Sequence, residues 1–363
     1  MTAERRVDAA EWERWGVDCL RAQDFSEEDA HCLAASLAQT SLWGIDSHGI
    51  ARLPHYLNRV AHGSILARPV IDIERTGPGT AQLHGGQGQG IVVAHRANAL
   101  AIDLARSAGV SAVGVGNSSH CGAIGLYSRA AARQGFIGIA FTHSDSIAAP
   151  FGGQEPFFGT NPISLAFPRA DADPLCLDMA TTAIPWNRVM NARRDGAPLP
   201  SGVALDVQGR DCADADQVRA LRPLGGEEYG YKGYGLAMMV ELLCGPLNGN
   251  PFGPHISPMY EALARPRELG AFFIVIDPAR FAGGAALAAV VAGMAMELSQ
   301  APGAPRLPGD PEAAAQAERR RLGLPVPPAL WAEMQGWSDR LGVEPPARMA
   351  RDLRQAPSAA GRS

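Results

Sequence analysis

The chain has 363 residues, 46% hydrophobic and 19% charged, the composition of a folded globular protein with room for about two domains. Its 32 Lys and Arg against 37 Asp and Glu leave a net charge of −5, and the basic residues are mostly scattered arginines. That balance offers no footprint for a nucleic-acid backbone, so no nucleic-acid partner is expected. The opening stretch MTAERRVDAAEWERW has no apolar core of a secretory signal. The longest apolar run, residues 281–296, holds three glycines and falls short of a membrane span, so it reads as a core helix with no membrane partner. Six dispersed cysteines (Cys19, Cys32, Cys121, Cys176, Cys212, Cys244) form no C-x-x-C pair and read as reduced thiols of a cytoplasmic protein.

Residues 8–63 read as helical. Ser26 followed by Asp29 resembles a capping box, with Ala30, Leu33, Leu37 and Ser41 on one stripe behind it. A further helix is expected from Ser47 or Gly49, with Arg52 and Tyr56 one turn apart and Gly63 at its end. Residues 70–83 read as two short strands around Gly77-Pro78-Gly79. Then helix, glycine and strand occur twice: 91–107, Gly109, 110–115, and 123–134, Gly135, 136–141. That alternation is the signature of a layered α/β domain. Strands are expected at 163–167 and 175–177, loop over 185–230, helix over 234–244, strand over 272–276 and helix over 285–298. The Pro-, Ala- and Arg-rich tail from Ala301 reads as an extended segment wrapping the body or a neighbouring subunit.

No G-x-G-x-x-G follows a strand, and His84-Gly-Gly-Gln-Gly-Gln-Gly90 has the spacing of a tight turn rather than a phosphate cradle. P-loop, H-E-x-x-H and G-x-S-x-G motifs are absent as well. Chemistry is concentrated in polar islands. Asp46-Ser-His-Gly-Ile-Ala-Arg52, with Tyr56 beyond it, combines an arginine that matches a carboxylate with a histidine that titrates near neutrality; a helix cap on a surface face is the equal alternative. His120, in Asn117-Ser-Ser-His-Cys-Gly-Ala-Ile124, falls at a strand-to-helix junction where α/β proteins place ligands, or serves as a cap. Thr142-His-Ser-Asp145, Leu177-Asp-Met-Ala-Thr-Thr182 and Lys232 between glycines are strand-end and helix-start groups that suit either a ligand or a cap. The three histidines and three aspartates of these islands match no recurrent ligand spacing, so no metal site is expected.

Taken in order, Asp46-Ser-His-Gly-Ile-Ala-Arg-Leu-Pro, Pro150-Phe-Gly-Gly-Gln-Glu, Gly159-Thr-Asn-Pro, Leu177-Asp-Met-Ala-Thr-Thr, Lys232-Gly-Tyr-Gly and Ile276-Asp-Pro-Ala-Arg-Phe resemble the type-2 malate/L-lactate dehydrogenase family over residues 8–312. Within it, His120-Cys-Gly-Ala-Ile, Ser144-Asp145 and Ser257-Pro-Met-Tyr260 look most like the ureidoglycolate dehydrogenases. The resemblance implies an α/β, non-Rossmann, L-sulfolactate dehydrogenase-like fold. A mixed-sheet cofactor domain (69–229) would be inserted into a helical substrate and dimerisation domain (1–68 with 230–300), and the tail 301–363 would contact the cofactor site. Removing that tail is expected to leave a folded protein with weakened cofactor binding.

The implied activity is hydride transfer between NAD, with NADP as the alternative, and a small 2-hydroxy or 2-oxo acid of the malate, lactate or ureidoglycolate type. Reduction of cyclic imino acids with NADPH is the runner-up. Carried over by position, His120 matches the proton acceptor, with His48 beside it; Ser47, Arg52 and Tyr56 match the substrate cluster. Ser144, Asp178, Met179, Ala180, Lys232, Gly309, Asp310 and Pro311 match cofactor contacts. A homodimer or higher homo-oligomer is implied. Two departures bear on substrate and cofactor choice: His143 stands where small or amide residues are usual, and Glu227-Glu228-Tyr229 extends the loop before Lys232.

Overall fold

The computed structural model describes residues 5–347 and 349. A short strand β1 (Arg5–Val7) leads into helices α1 (Ala9–Ala22) and α2 (Glu27–Leu42). Both are capped by side chains: Asp8 accepts the N–H groups of Ala10 and Glu11, and Ser26 that of Asp29. Two 3-10 turns, Asp46–His48 and Ile50–Arg52, precede α3 (Leu53–Ala61). This helix starts later than Ser47 or Gly49, with Pro54 in the first turn, where its missing N–H costs no hydrogen bond.

The middle of the chain builds β2 (Asp72–Gly77), β3 (Thr80–His84), α4 (Gly90–Ala108), β4 (Val110–Ser118), α5 (Gly125–Arg133), β5 (Ile137–Thr142), β6 (Ile163–Phe167) and β7 (Leu175–Met179). There follow α6 (Trp186–Asp195), a small ribbon of β8 (Ala204–Leu205) and β9 (Ala220–Leu221), α7 (Gly226–Cys244), β10 (Leu269–Ile276) and α8 (Gly284–Gln300). The chain continues through α9 (Asp310–Leu322), β11 (Leu324–Val326) and α10 (Pro328–Leu341). Seven strands form one mixed sheet in the order β2-β3-β4-β10-β5-β6-β7. Only β3 and β4 run parallel; the other pairs are antiparallel. The sheet buries Val113, Phe273 and Ala140 against Ala97 and Ala101 of α4 and Tyr127 of α5. A second core joins Trp12, Trp15, Leu33 and Leu57 to Val326, Met334 and Trp337. Helix α4 contributes Ile91 and Val92 to that second core and so connects the two.

Several expectations are corrected by this topology. Segment 230–300 does not complete the N-terminal helical layer, because its strand β10 lies at the centre of the sheet between β4 and β5. The layer is completed by the tail. Residues 301–341 are not extended: α9 and α10 are helices, and β11 pairs with β1, Val7 opposite Leu324. Trp15 Nε1 donates to Ser338 Oγ at 2.9 Å, so the chain's two ends share one core. Residue 348 and residues 350–363 of that tail lie outside the described residues. The loop expected over 185–230 holds α6 and the start of α7. Helix α8 is not a core helix: only Val291 and Ala295 are buried, while Val290 is 69% and Met296 57% exposed.

Candidate active site

The segment 45–52 lies on α2. A side chain at Gly49 would sit 2.9 Å from the backbone nitrogen of Ser41, so only glycine permits this approach. Ser41 Oγ accepts the N–H of Ile50 at 2.9 Å, and Arg319 of α9 donates to Ser41 O and to both carboxylate oxygens of Asp46. The turn so fixed presents Ser47, His48 and Arg52. Ser47 Oγ and His48 Nδ1 are 2.8 Å apart, and Arg52 donates through Nε to Ser47 O and through Nη1 to Tyr260 Oη at 2.6 Å.

His120 arrives from the other side, just past β4. Ser119 holds that corner by donating to Gly88 O and accepting the N–H of Gly90. Gly90 sits against the backbone of Ser119 and His120, where a Cβ would collide. The glycine-rich 84–90 stretch is thus a turn that supports the His120 corner, with Gln89 capping α4. Tyr56, buried on α3, places its Oη 2.6 Å from His120 Nδ1, and Gly122 N–H donates to the same nitrogen at 3.3 Å. With Nδ1 accepting, the neutral ring carries its proton on Nε2, the nitrogen left for a ligand. The rings of His48 and His120 stack with centroids 5.3 Å apart.

Burial and positive neighbours set the charge of this cluster. His120 is held well below the usual histidine range by loss of water, then by His48, Arg52 and Arg267. Burial and Arg52 bring His48 down to about 3, and burial with Arg59 and Arg52 does the same for His55. All three rings are therefore neutral at pH 7. Burial pushes the Tyr56 hydroxyl upward, so it stays protonated.

A cavity of about 1100 Å³ runs from His48, Arg52 and His120 past Ser144 to Asp178, Met179 and Ala180. That is at or above the ~300–1,000 Å³ of an ordinary small-molecule site and suits two ligands side by side. Asp178, at the end of β7, accepts the N–H of Gly125 at 2.8 Å and so caps α5 while lining the cavity. Desolvation raises its carboxyl to about 6. Glu312 of α9 also lines this end, 3.8 Å from buried Arg129. Its Oε2 is buried with no hydrogen-bond partner among the described residues.

Ser47, His48, Arg52, His120, Ser144, Asp178, Met179 and Ala180 thus share one cavity, with Tyr56 directly behind His120. Lys232, Gly309, Asp310 and Pro311 do not line it. Lys232 is exposed on α7 against the rings of Tyr229 and Tyr231, and Asp310 accepts the N–H of Leu307 in its own turn. Sequence reading gave Tyr260 and Arg267 no role and passed over Glu312. Their signal is weak: each is a single polar residue in a loop or helix start, brought in from more than 100 positions away. Among the described residues no group of three or more His, Cys, Asp or Glu is placed to hold a metal.

The sequence profile of the malate/L-lactate dehydrogenase family matches residues 7–335. Ureidoglycolate dehydrogenase (NAD(+)) of Escherichia coli K12 is 39% identical over 251 residues, 69% of this chain and 71% of its own length. Malate dehydrogenase of Pyrococcus horikoshii is 35% identical over 329 residues, 88% of this chain and 90% of its own length. The solved structure of sulfolactate dehydrogenase from Methanocaldococcus jannaschii superposes with a TM-score of 0.87 at 31% identity, covering 93% of this chain and 98% of that one. The mixed sheet with its central antiparallel β10 is that fold. With the profile spanning nearly the whole described chain, this protein belongs to the malate/L-lactate dehydrogenase family of NAD(P)-dependent 2-hydroxy-acid oxidoreductases.

Proposed function

We propose that His120 moves the hydroxyl proton while a hydride passes between C2 of a small 2-hydroxy or 2-oxo acid and NAD. The observation that carries this reading is the buried Tyr56–His120–His48 cluster set beside Arg52 at one end of a cavity whose other end is lined by carboxylates. Tyr56 meets Nδ1 of the ring and leaves Nε2 to the substrate oxygen; for Nε2 to take the hydroxyl proton, the ring's own proton moves to Nδ1, where the Tyr56 oxygen accepts its hydrogen bond. Arg52, with Ser47, holds the acid's carboxylate, and His48, tied to Ser47, packs the substrate against His120. Burial is the main cause that depresses His120, and a bound carboxylate beside Arg52 offsets the positive charge that adds to it. Base strength therefore arrives together with substrate.

The nicotinamide supplies the hydride acceptor, and the chain supplies position and charge. Ser144, Met179 and Ala180 would lie along it, and Glu312 Oε2, ion-paired with Arg129 at 3.8 Å but accepting no hydrogen bond among the described residues, fits with Asp178 the donor hydroxyls of a ribose. Two carboxylates at that end oppose an added phosphate, so NAD is favoured over NADP. Glu312, rather than Asp310, takes the acidic role on the tail.

We further infer a cytoplasmic homodimer. Its interface would cover the exposed apolar residues of α7 and α8, which include Leu236, Met239, Val290 and Met294, and would also enclose Lys232. The free cysteines suit a reducing compartment. The test is oxidation of NADH and of NADPH against a panel of 2-oxo acids and cyclic imines. Turnover of 2-oxo acids with NADH supports the reading, and turnover of imines alone replaces it with the imino-acid one.

A further inference from the structure

A second cavity, of about 820 Å³, adjoins Arg52. It is lined by α3 and α10, and by Asn187 and Asn191, one turn apart on α6. Ser47, Arg52, Asn187 and Tyr260 line both cavities. Ser144, Asp178, Met179 and Ala180 line only the first, so the two meet at the Arg52 end and not at the carboxylate end. Among the four shared residues, the only hydrogen bond joining separate segments runs from Arg52 Nη1 to Tyr260 Oη, at 2.6 Å. The Tyr260 ring is 61% exposed and sits edge-on to His55, with centroids 5.4 Å apart.

The polar groups of the second cavity are left open. The side chains of Asn58, Asn187 and Asn191 make no hydrogen bond among the described residues, and the Arg340 guanidinium only packs over Trp337. Its two carboxylates do not cancel its two guanidinium groups: Asp46 is already paired with Arg319, which leaves Glu333 against Arg52 and Arg340. Amides both give and accept hydrogen bonds. With a surplus cation they replace the hydration of a small carboxylate without fixing it in one pose.

We propose that this second cavity is a vestibule for the acid, through which a small 2-oxo or 2-hydroxy carboxylate reaches the active cavity and leaves it while the nicotinamide cofactor stays bound. The inference rests on the 2-hydroxy-acid reading above, which lays the cofactor along the Asp178 end and the acid at Arg52. The cofactor then fills the route past Ser144, while the second cavity adjoins the acid's own end. Tyr260 is the inner door. Swinging its exposed ring aside breaks one hydrogen bond and frees Nη1 of Arg52 for the arriving carboxylate. Rotation of an exposed side chain is fast beside turnover, so the door need not limit the rate. Cofactor and acid thus enter by separate routes, and the acid exchanges without release of the cofactor.

The experiment narrows the vestibule and leaves the active cavity alone. Gly336 of α10 lines the second cavity and not the first, and a Cβ there meets nothing within 4 Å. Gly336→Trp therefore fills space without displacing a neighbour at its base, and helix propensity favours the change. Full-length protein is assayed with NADH against glyoxylate, pyruvate, 2-oxobutyrate and oxaloacetate. Gly336→Trp is expected to lower kcat/KM for the acid by about tenfold, on the scale over which association rates of variants move, with the loss growing from glyoxylate to 2-oxobutyrate. NADH affinity by calorimetric titration and the single-turnover rate at saturating acid are expected to stay within about twofold of wild type, as are all values for Gly336→Ala. Asn191→Trp, which narrows the vestibule from α6, is expected to act in the same way and decides the matter if Gly336→Trp does not fold in thermal melts. A folded tryptophan variant with kcat/KM within about twofold of wild type for every acid overturns the proposal, as does one whose NADH affinity falls in step with kcat/KM. Failure of every 2-oxo acid to oxidise NADH or NADPH with the wild type would instead overturn the reading on which it rests.

Discussion

His120 and Asp178 are both buried titratable groups, and their environments move them in opposite directions. His120 loses its proton at neutral pH because water is excluded and its neighbours are cationic or neutral rings. Replacing it with Asn keeps the size and a polar edge but removes the base. We expect kcat of His120→Asn to fall by roughly 10²–10⁴-fold while NADH affinity, read by calorimetric titration, stays near wild type. Asp178 is raised to about 6 by desolvation, against its hydrogen bond from Gly125 and the charge of Arg129. Its carboxylate form opposes folding, since the folded-state value lies above the unfolded one near 3.8. That penalty is present above pH 6 and is relieved as pH falls through 6 toward 4. Asp178→Asn should therefore raise the melting temperature at pH 8 more than at pH 5. On the proposed ribose role of Asp178, the ionised carboxylate is the stronger acceptor, so wild-type NADH affinity should weaken as pH falls through 6, and the variant should show a flatter profile.

At the scale of elements, α10 and β11 are held in the N-terminal core rather than draped over the surface. Met334 is fully buried, and Leu324 and Val326 are fully buried beside Val7. Truncation before β11 would expose Trp12, Trp15 and Leu33 of the same cluster, so the shortened chain is expected to misfold rather than to persist as a cofactor-poor protein. Met334→Ala gives the graded version: a loss of about 2–5 kcal/mol in chemical denaturation, the usual cost of an unfilled core site. A midpoint unchanged from wild type would show that this helix does not contribute to the cooperative unit. Helix α9 sits between two ends of the cavity. Its first turn brings Glu312 to the Asp178 end, and Arg319 near its other end holds Asp46 of the turn that carries Ser47, His48 and Arg52.

The whole molecule shows apolar surface that a folded monomer leaves uncovered. Helix α8 has 17 residues, of which two are buried, and Val290, Met294, Met296 and Leu298 face outward. On the proposed homodimer, a second copy would cover this face. Sedimentation should give a dimer for the wild type and a shift toward monomer for Val290→Asp combined with Met294→Asp, in a protein that still melts cooperatively. A wild-type monomer at micromolar concentration would remove the homodimer from the proposal.

Local chemistry determined much of this protein. Glycines after helices, capping side chains and β-branched runs are read within a few residues, so β6 was legible to the residue and α4 and β5 to within one. The place of His120 beside the cavity was legible because a polar residue at a strand-to-helix junction is a local pattern. Tertiary structure alone decided three further things. Strand β10 entered the centre of the sheet because its faces match β4 and β5, sequence neighbours of each other but not of it. The apolar run 281–296 was put at the surface, since hydrophobicity calls for burial without naming the chain that supplies it. Arg267 reached Asp145 across 122 positions, a pairing set by where β10 begins and not by any spacing in the chain.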